Sequence, residues 1–544
     1  MILCPNCGAN PRFDIASQKM LCPYCGTYSE PTDDVYAGKD GADTQTVTGD
    51  YAGQPDMMQV KIYTCAQCGA ELMSTDTDAT AFCSYCGTHQ VLQERLDVKK
   101  RPDHIIPFKI TKDQCKTIYK KKLSKMIFAP RALKDPQYID EFRGIYMPYW
   151  FYNFRQSGRM ILDGKKEHRK GDYRIIDHFD LGVDVDNSYA GLSHDSSSSF
   201  EDKISESLAP YNTNDTLPFR TAYLSGFYAD IPDTESGTYK HEAELIAAEE
   251  TFDEVTSIPA FRSYDLGDIT DEQKVRKTHT KLDSVTNAMF PVWFLSYRKN
   301  DRVAYAAING QTGKLTADIP IDGRKYLLCT AIVTIILWIL LEVFNISSLR
   351  GILMTVMAVA FAGWLVFAMI IDRLRAEKKN REWEKRQAER AAKKIVSNEE
   401  KETGKKSKKK NKDDLPKDKA SMLGLGGIIL IYIIIVAVCG FMIWLEYGAV
   451  MLAVPLVMAV YCNTIIGSVH EKRGIISNWA LAVAMEFSIV IWLINPYKDP
   501  LYYAGCLLMT ACVIWCYFDV LYFYNQLMTR PLPQFNKHGG DDRA

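Results

Sequence analysis

The sequence predicts a multidomain chain: two small N-terminal β ribbons closed by metal, a cytoplasmic α+β domain, and a six-helix α-helical transmembrane region. Three observations predict it. Four Cys-x-x-Cys pairs stand in the first 86 residues, strand and helix patterns alternate through the middle, and long apolar runs begin at Tyr326.

The cysteine pairs form two sets of the same build. Cys4 and Cys7 are answered by Cys22 and Cys25, and Cys65 and Cys68 by Cys83 and Cys86, with fourteen residues between the pairs in each set. A glycine follows every pair: Gly8, Gly26, Gly69 and Gly87. Two short turns each aim two thiolates at one tetrahedral ion, and the intervening residues suffice for a small hairpin. Glycine lets each turn close until backbone N–H groups approach the sulfurs. This is the zinc-ribbon layout, so two Zn²⁺ ions are expected, one per ribbon. Rubredoxin-like iron uses similar knuckles, usually with a longer gap, and a redox dithiol would want a strand–helix setting not seen here. Residues 1–27 are read as ribbon one, 28–60 as a flexible linker rich in Gly, Thr, Ser and Asp, and 61–92 as ribbon two.

Charge decides what the ribbons touch. Residues 1–90 hold four Lys/Arg against eleven Asp/Glu. Each ion held by four thiolates adds about −2 by valence. Phosphate backbones call for a positive surface, so no nucleic acid is expected on these ribbons. Zinc instead stabilises segments too small for a core of their own, and the ribbon edges form a protein-docking surface.

The overall net charge of −1 conceals two unlike halves. Six spans are read at about 326–345, 351–371, 422–445, 447–468, 475–495 and 501–525, each near the roughly 20 residues that cross a bilayer. No signal peptide is expected ahead of Met1-Ile2-Leu3-Cys4. The loop 372–421 is basic, with nineteen Lys/Arg against eleven Asp/Glu over 372–420, whereas the alternate loops carry only Arg350 and Lys498. The positive-inside asymmetry places both termini, the tail 526–544 and the basic loop in the cytoplasm, as a multi-pass protein of the cell membrane. Thiolate–metal sites suit that reducing compartment. The first half of the loop, with Arg381, Glu384, Lys385 and Glu389, extends a helix from the second span; Lys405–Lys419 is low-complexity and attracts anionic lipid or only fixes topology.

Residues 93–325 read as the α+β domain. Thr111 and Gln114 resemble a capping box, followed by Cys115, Ile118, Tyr119, Leu123, Met126 and Ile127 at helical spacing. Opposite them stand Lys116, Lys120, Lys121 and Lys125, a face that packs as an ordinary amphipathic helix or meets membrane lipids or an acidic partner. Pro148-Tyr149-Trp150-Phe151 is echoed by Pro291-Val292-Trp293-Phe294, both in strand-like runs leading into hairpins. A helical pattern covers His241–Val255.

On these residues the chain resembles a family: the membrane-anchored TFIIB-type zinc-ribbon proteins of Gram-positive bacteria, the YdjG-like group. The resemblance rests on the ribbons, Ile106-Pro107-Phe108-Lys109, Phe128-Ala129-Pro130, Gly144–Trp150, Thr221–Gly226, Pro291-Val292-Trp293 and Asn309–Lys314. It covers most of 1–325. It implies a membrane scaffold working with phage-shock-protein-A-like and SPFH (flotillin-like) partners in envelope-stress protection, and no transcription role. It supplies no catalytic residues.

A search for chemistry finds no His-Glu-x-x-His helix, no phosphate-binding loop and no nucleophile elbow, so no enzyme is expected. Asp177-His178 and His194-Asp195 read as surface polar pairs. The membrane half offers Glu486, Asp519 and Asn463, with Glu342 in the first span, as an intramembrane polar site. The leading expectation is a membrane-embedded adaptor recruiting partner proteins, working as an oligomer or hetero-complex. The alternatives are a transporter or channel with a zinc-ribbon sensor, routed past Glu486, and a membrane-tethered nucleic-acid binder using the basic loop.

Overall fold

The computed structural model describes residues 3–31, 57–74, 83–89, 93–330, 349–399, 454–463 and 474–533, apart from 198, 200, 268 and 498, together with 332 and 339. The chain divides into two compact units, Met1–Ile319 with Thr529–Ala544, and Pro320–Met528.

In the first unit, β1 (Arg12–Asp14), β2 (Lys19–Leu21) and β3 (Tyr28–Ser29) make a small antiparallel sheet. Among the described residues a second sheet holds twelve strands. They are β4 (Met57–Thr64), β5 (Glu71–Ser74), β6 (Gln93–Lys100), β7 (His104–Ile105), β8 (Arg143–Lys170), β9 (Tyr173–Asp195), β10 (Leu217–Pro218), β11 (Tyr228–Asp230), β12 (Thr280–Lys299), β13 (Arg302–Asn309), β14 (Leu315–Ala317) and β15 (Arg530–Pro531). The path β10-β7-β12-β8-β11-β5-β4-β6 forms its spine.

The echoed motifs lie side by side at its centre. Strands β8 and β12 run antiparallel, with Pro148 opposite Met289 and Pro291 opposite Tyr146. Both stretches are buried on both faces, which suits their aromatic and β-branched content. Side chains alternate across the sheet as the pleat demands. Tyr146, Met289 and Trp293 join one core with Phe108 and Phe227, and Met147, Phe290 and Phe294 join the other with Tyr85 and Tyr149.

The sequence reading placed a boundary at 92/93, but the sheet runs across it. Strand β4 starts inside the stretch read as linker and pairs with β6 from Met57↔Lys100 to Thr64↔Gln93. Strand β5 pairs with β11 through Ala229↔Met73. The second cysteine set is thus built into the large sheet by backbone hydrogen bonds.

The helix Lys112–Ser124 begins at the Thr111/Gln114 capping box and buries Cys115, Tyr119 and Leu123. It ends earlier than its apolar stripe suggested: Lys125 caps it, and Ile127 is 71% exposed. The Lys240–Ser257 helix buries Ala243, Ala247, Ala248, Thr251 and Val255. Asp195 is buried, contrary to its reading as a surface residue, while His178 is exposed and bonded to Asp163.

Among its described residues the second unit carries three helices long and apolar enough to cross a membrane: Gly351–Ala376 within Leu349–Glu399, Ile475–Ile494, and Asp499–Leu527. The described residues therefore carry three membrane-length helices, not six. These fall on the expected spans 351–371, 475–495 and 501–525, and a shorter apolar helix, Val454–Asn463, falls within 447–468. The span 422–445, most of 326–345 with Glu342, and Lys405–Lys419 lie outside the described residues. Trp364, Phe367, Leu481, Met485, Met509 and Phe523 pack the interior, while Val366, Val483, Phe487, Leu507 and Trp515 point outward, an apolar exterior that suits lipid.

Candidate metal centres

All eight ribbon cysteines are free thiols, and each set brings its four Sγ atoms within 4.8 Å of one another. In the first set Cys4 and Cys25 lie 3.6 Å apart and Cys7 and Cys22 3.4 Å. In the second, Cys65 and Cys86 lie 3.8 Å apart and Cys68 and Cys83 3.7 Å. A tetrahedral site with metal–sulfur bonds of about 2.3 Å has sulfur–sulfur edges of about 3.8 Å. The donor sets fit a metal ion.

One local structure, used four times, produces this. The amides of Gly8, Gly26, Gly69 and Gly87 donate to the carbonyls of Cys4, Cys22, Cys65 and Cys83, at 2.9, 2.9, 2.7 and 3.0 Å. The amides of those four cysteines donate in turn to Ala9, Thr27, Ala70 and Thr88. Each glycine sits at a φ between +67° and +78°, a region only glycine enters without cost, so the glycine after each pair is a backbone requirement.

The surroundings of the two sets diverge. In the first, Cys7 and Cys25 are exposed. A hydrogen bond to Thr27, whose Oγ1 is 3.1 Å from the Cys25 sulfur, lowers the Cys25 thiol to about 6, toward the thiolate a metal requires. This ribbon is fastened by its hairpin, not its knuckles. Phe13 meets Tyr223 edge-on at 5.2 Å, its amide donates to the Ser225 carbonyl at 3.0 Å, and Gln18 donates to the Phe108 carbonyl at 2.8 Å.

In the second set all four cysteines are 1% exposed or less. Tyr85, between Cys83 and Cys86, packs on Phe294 at 5.8 Å, and its hydroxyl lies 3.5 Å from that of Ser199. Ser199 and Ser197 donate to the buried carboxyl of Asp230, which the Ile231 amide joins at 2.9 Å. Burial raises Asp230 to about 6, against the lowering effect of these hydrogen bonds. Arg298 donates to Thr88 Oγ1 at 2.8 Å and closes over the last knuckle. Tyr24 occupies the same place in the first set and is 81% exposed, against 1% for Tyr85. Nothing in the spacing separates these tyrosines, and no motif marked Asp230, Ser197 or Ser199.

Of the basic face, Lys116 is half-buried and ion-paired to Asp113 at 3.2 Å and Asp140 at 2.8 Å, whereas Lys120, Lys121 and Lys125 are exposed. The intramembrane residues are not gathered into one place. Asp519 is buried and accepts from the Ser477 hydroxyl at 2.5 Å. Glu486 is half-buried nine residues further along the Ser477 helix, an axial rise of about 13 Å. Asn463 is half-buried at the end of the short helix. The polar contact that the sequence reading missed is Asn478, which accepts from Trp364 Nε1 at 2.7 Å and donates to the Ala459 carbonyl at 2.9 Å. A lone Asn in an apolar helix was the available signal.

The chain is 26% identical over 333 residues to a Bacillus subtilis (strain 168) protein, the uncharacterized protein YdjG, covering 59% of this chain and 90% of that one. The likeness agrees with a YdjG-like bacterial protein. Because that relative is uncharacterized, it brings no activity or partner with it. No family model matches the chain, and no solved structure matches it.

Proposed function

We propose that the chain is a membrane-embedded adaptor whose sheet unit presents a zinc-stabilised docking surface in the cytoplasm. The observation that carries this is the outward-facing first centre: Cys7, Cys25 and a largely exposed Tyr24 project from a ribbon anchored through its other side. Exposed aromatics on a rigid support are typical anchors for a partner. Zinc is the proposed metal at both centres, on the strength of four thiolates at tetrahedral spacing. The family resemblance makes phage-shock-protein-A-like and SPFH-like proteins of an envelope-stress system the first partners to look for.

The tail supports the sidedness of this reading. Strand β15, just after the last membrane-length helix, pairs with β13 through Val303↔Arg530. Arg530 is buried against Asp318 and Glu201; burial alone would lower its guanidinium, but the two carboxylates outweigh that and hold it charged. A chain that leaves the sheet unit at Ile319 and rejoins it at Thr529 crosses a bilayer an even number of times. The three membrane-length helices among the described residues are an odd number, so a further crossing belongs to this reading, and six spans with both termini cytoplasmic satisfy it.

The test is quantitative mass spectrometry of proteins co-purified from gently solubilised membranes, comparing wild type with Tyr24→Ala at equal expression. A small partner set lost from the variant supports the adaptor. An unchanged set, or none in either sample, overturns docking at this ribbon.

A further inference from the structure

Strands β8 and β9 form an arm that outgrows the sheet. The last pairing of β8 with β12 is Gln156↔Thr280, after which its ladder partner is β9, as far as Lys170↔Tyr173. The base of the arm is covered: Met160, Leu162 and Val185 pack with Val255, Phe252 and Phe261. A backbone bridge from Lys165 to Asp265, with Lys166 Nζ 4.2 Å above the Tyr264 ring, marks the end of that cover. Beyond it every residue from Lys166 to Arg174 is exposed. An uncovered two-stranded ribbon is only marginally stable in water.

The composition of the tip is specific. Residues 165–174 hold five Lys/Arg (Lys165, Lys166, Arg169, Lys170, Arg174) against Glu167 and Asp172, a net charge of three positive before His168 is considered. One pair, Arg174 with Glu167 at 2.5 Å, is satisfied within the tip. Among these charges stand Tyr173, 77% exposed, and Ile176, 47% exposed. The register sets Lys170 beside Tyr173 on one face and Glu167 beside Ile176 on the other, so both faces mix charge with apolar surface. The N-terminal ninety residues have the opposite balance, four Lys/Arg against eleven Asp/Glu.

We propose that the tip of this arm, residues 165–176, docks on the anionic headgroups of the bilayer that holds the chain. Cations meet lipid phosphates, and tyrosine side chains sit at the headgroup level. The membrane helices supply the tether, so contact needs little intrinsic affinity. The inference rests on the membrane-embedded reading but not on any protein partner, so loss of one does not entail loss of the other.

The experiment is hydrogen exchange by mass spectrometry on the full chain in nanodiscs of phosphatidylcholine, with or without phosphatidylglycerol. Exchange across 166–176 is expected to slow about fivefold or more when the anionic lipid is present, and to recover at high salt. Arg169→Gln with Lys170→Gln should abolish the slowing, while exchange across 288–296 in the central strand stays unchanged and reports an intact fold. Equal exchange of the tip in both lipids overturns the proposal. So does slowing that follows the number of chains per disc, or that appears only with added duplex DNA.

Discussion

The two cysteine centres share one knuckle and differ in nearly everything around it. The first is an edge module with exposed Cys7, Cys25 and Tyr24. The second is part of a core, with its tyrosine packed on Phe294 and linked through Ser199 to Asp230. A metal held at either centre would supply folding free energy. Only in the second would that energy be shared with the large sheet, because β4, β5 and β6 carry the knuckles and the sheet alike. A repeated motif is thus not a repeated role.

The sharpest way to break this contrast is to remove each metal in turn. Cys65→Ser with Cys68→Ser should lose one metal per chain and unfold the sheet unit. Binding energies at such sites are on the order of 10 kcal/mol, comparable to the stability of a whole domain. Cys4→Ser with Cys7→Ser should also lose one metal but leave the large sheet folded, as read by metal analysis and limited proteolysis. A chelator should accordingly draw the first equivalent quickly and the second only as the sheet unfolds; release of both at one rate would remove the distinction.

The tyrosines test the same contrast without touching a ligand. Tyr85→Ala should cost about 4 kcal/mol in denaturant unfolding, as expected for a buried aromatic.

Asp230 gives the second centre a pH signature of its own. Its carboxyl is raised to about 6 by burial, above the usual carboxylate value near 4. The folded state therefore binds the proton more tightly, and this group's contribution to stability falls as pH rises from about 4 through about 6. The loss is about 3 kcal/mol in all. Asp230→Asn should flatten that portion of the profile, measured as the difference between wild-type and variant unfolding at each pH. A constant difference across the window would place the titration elsewhere.

The smallest effect belongs to the first ribbon. Tyr24→Ala should change stability by about 0.5 kcal/mol or less, as surface substitutions do. A loss as large as that for Tyr85→Ala would mean that the first centre is buried too.

Much of this architecture was legible in the residues. Cys-x-x-Cys-Gly states both the ligands and the positive φ that the knuckle needs, and the Thr111/Gln114 cap carries its own geometry. The Pro-x-Trp-Phe echo marked the two central strands, though not that they pair with each other. Local chemistry was sufficient in each case, because the constraint spans only a few residues. The three described membrane-length helices were equally plain, since apolar length alone identifies them.

Other features could not be read in advance, because they depend on contacts between residues far apart in the chain. Tyr24 and Tyr85 stand at equivalent places in equivalent motifs, and only the strand that arrives beside them makes one exposed and the other buried. Asp230 meets Ser197 and Ser199 more than thirty residues away. Arg530, a tail residue by position, becomes an interior cation because β13 offers it an edge and Asp318 and Glu201 a counter-charge. The sequence by itself determined the metal knuckles, the apolar helices and the central strands, each set by short-range stereochemistry or composition. Tertiary structure alone decided which centre belongs to the core and where the tail returns, because burial and backbone pairing are properties of the assembled sheet.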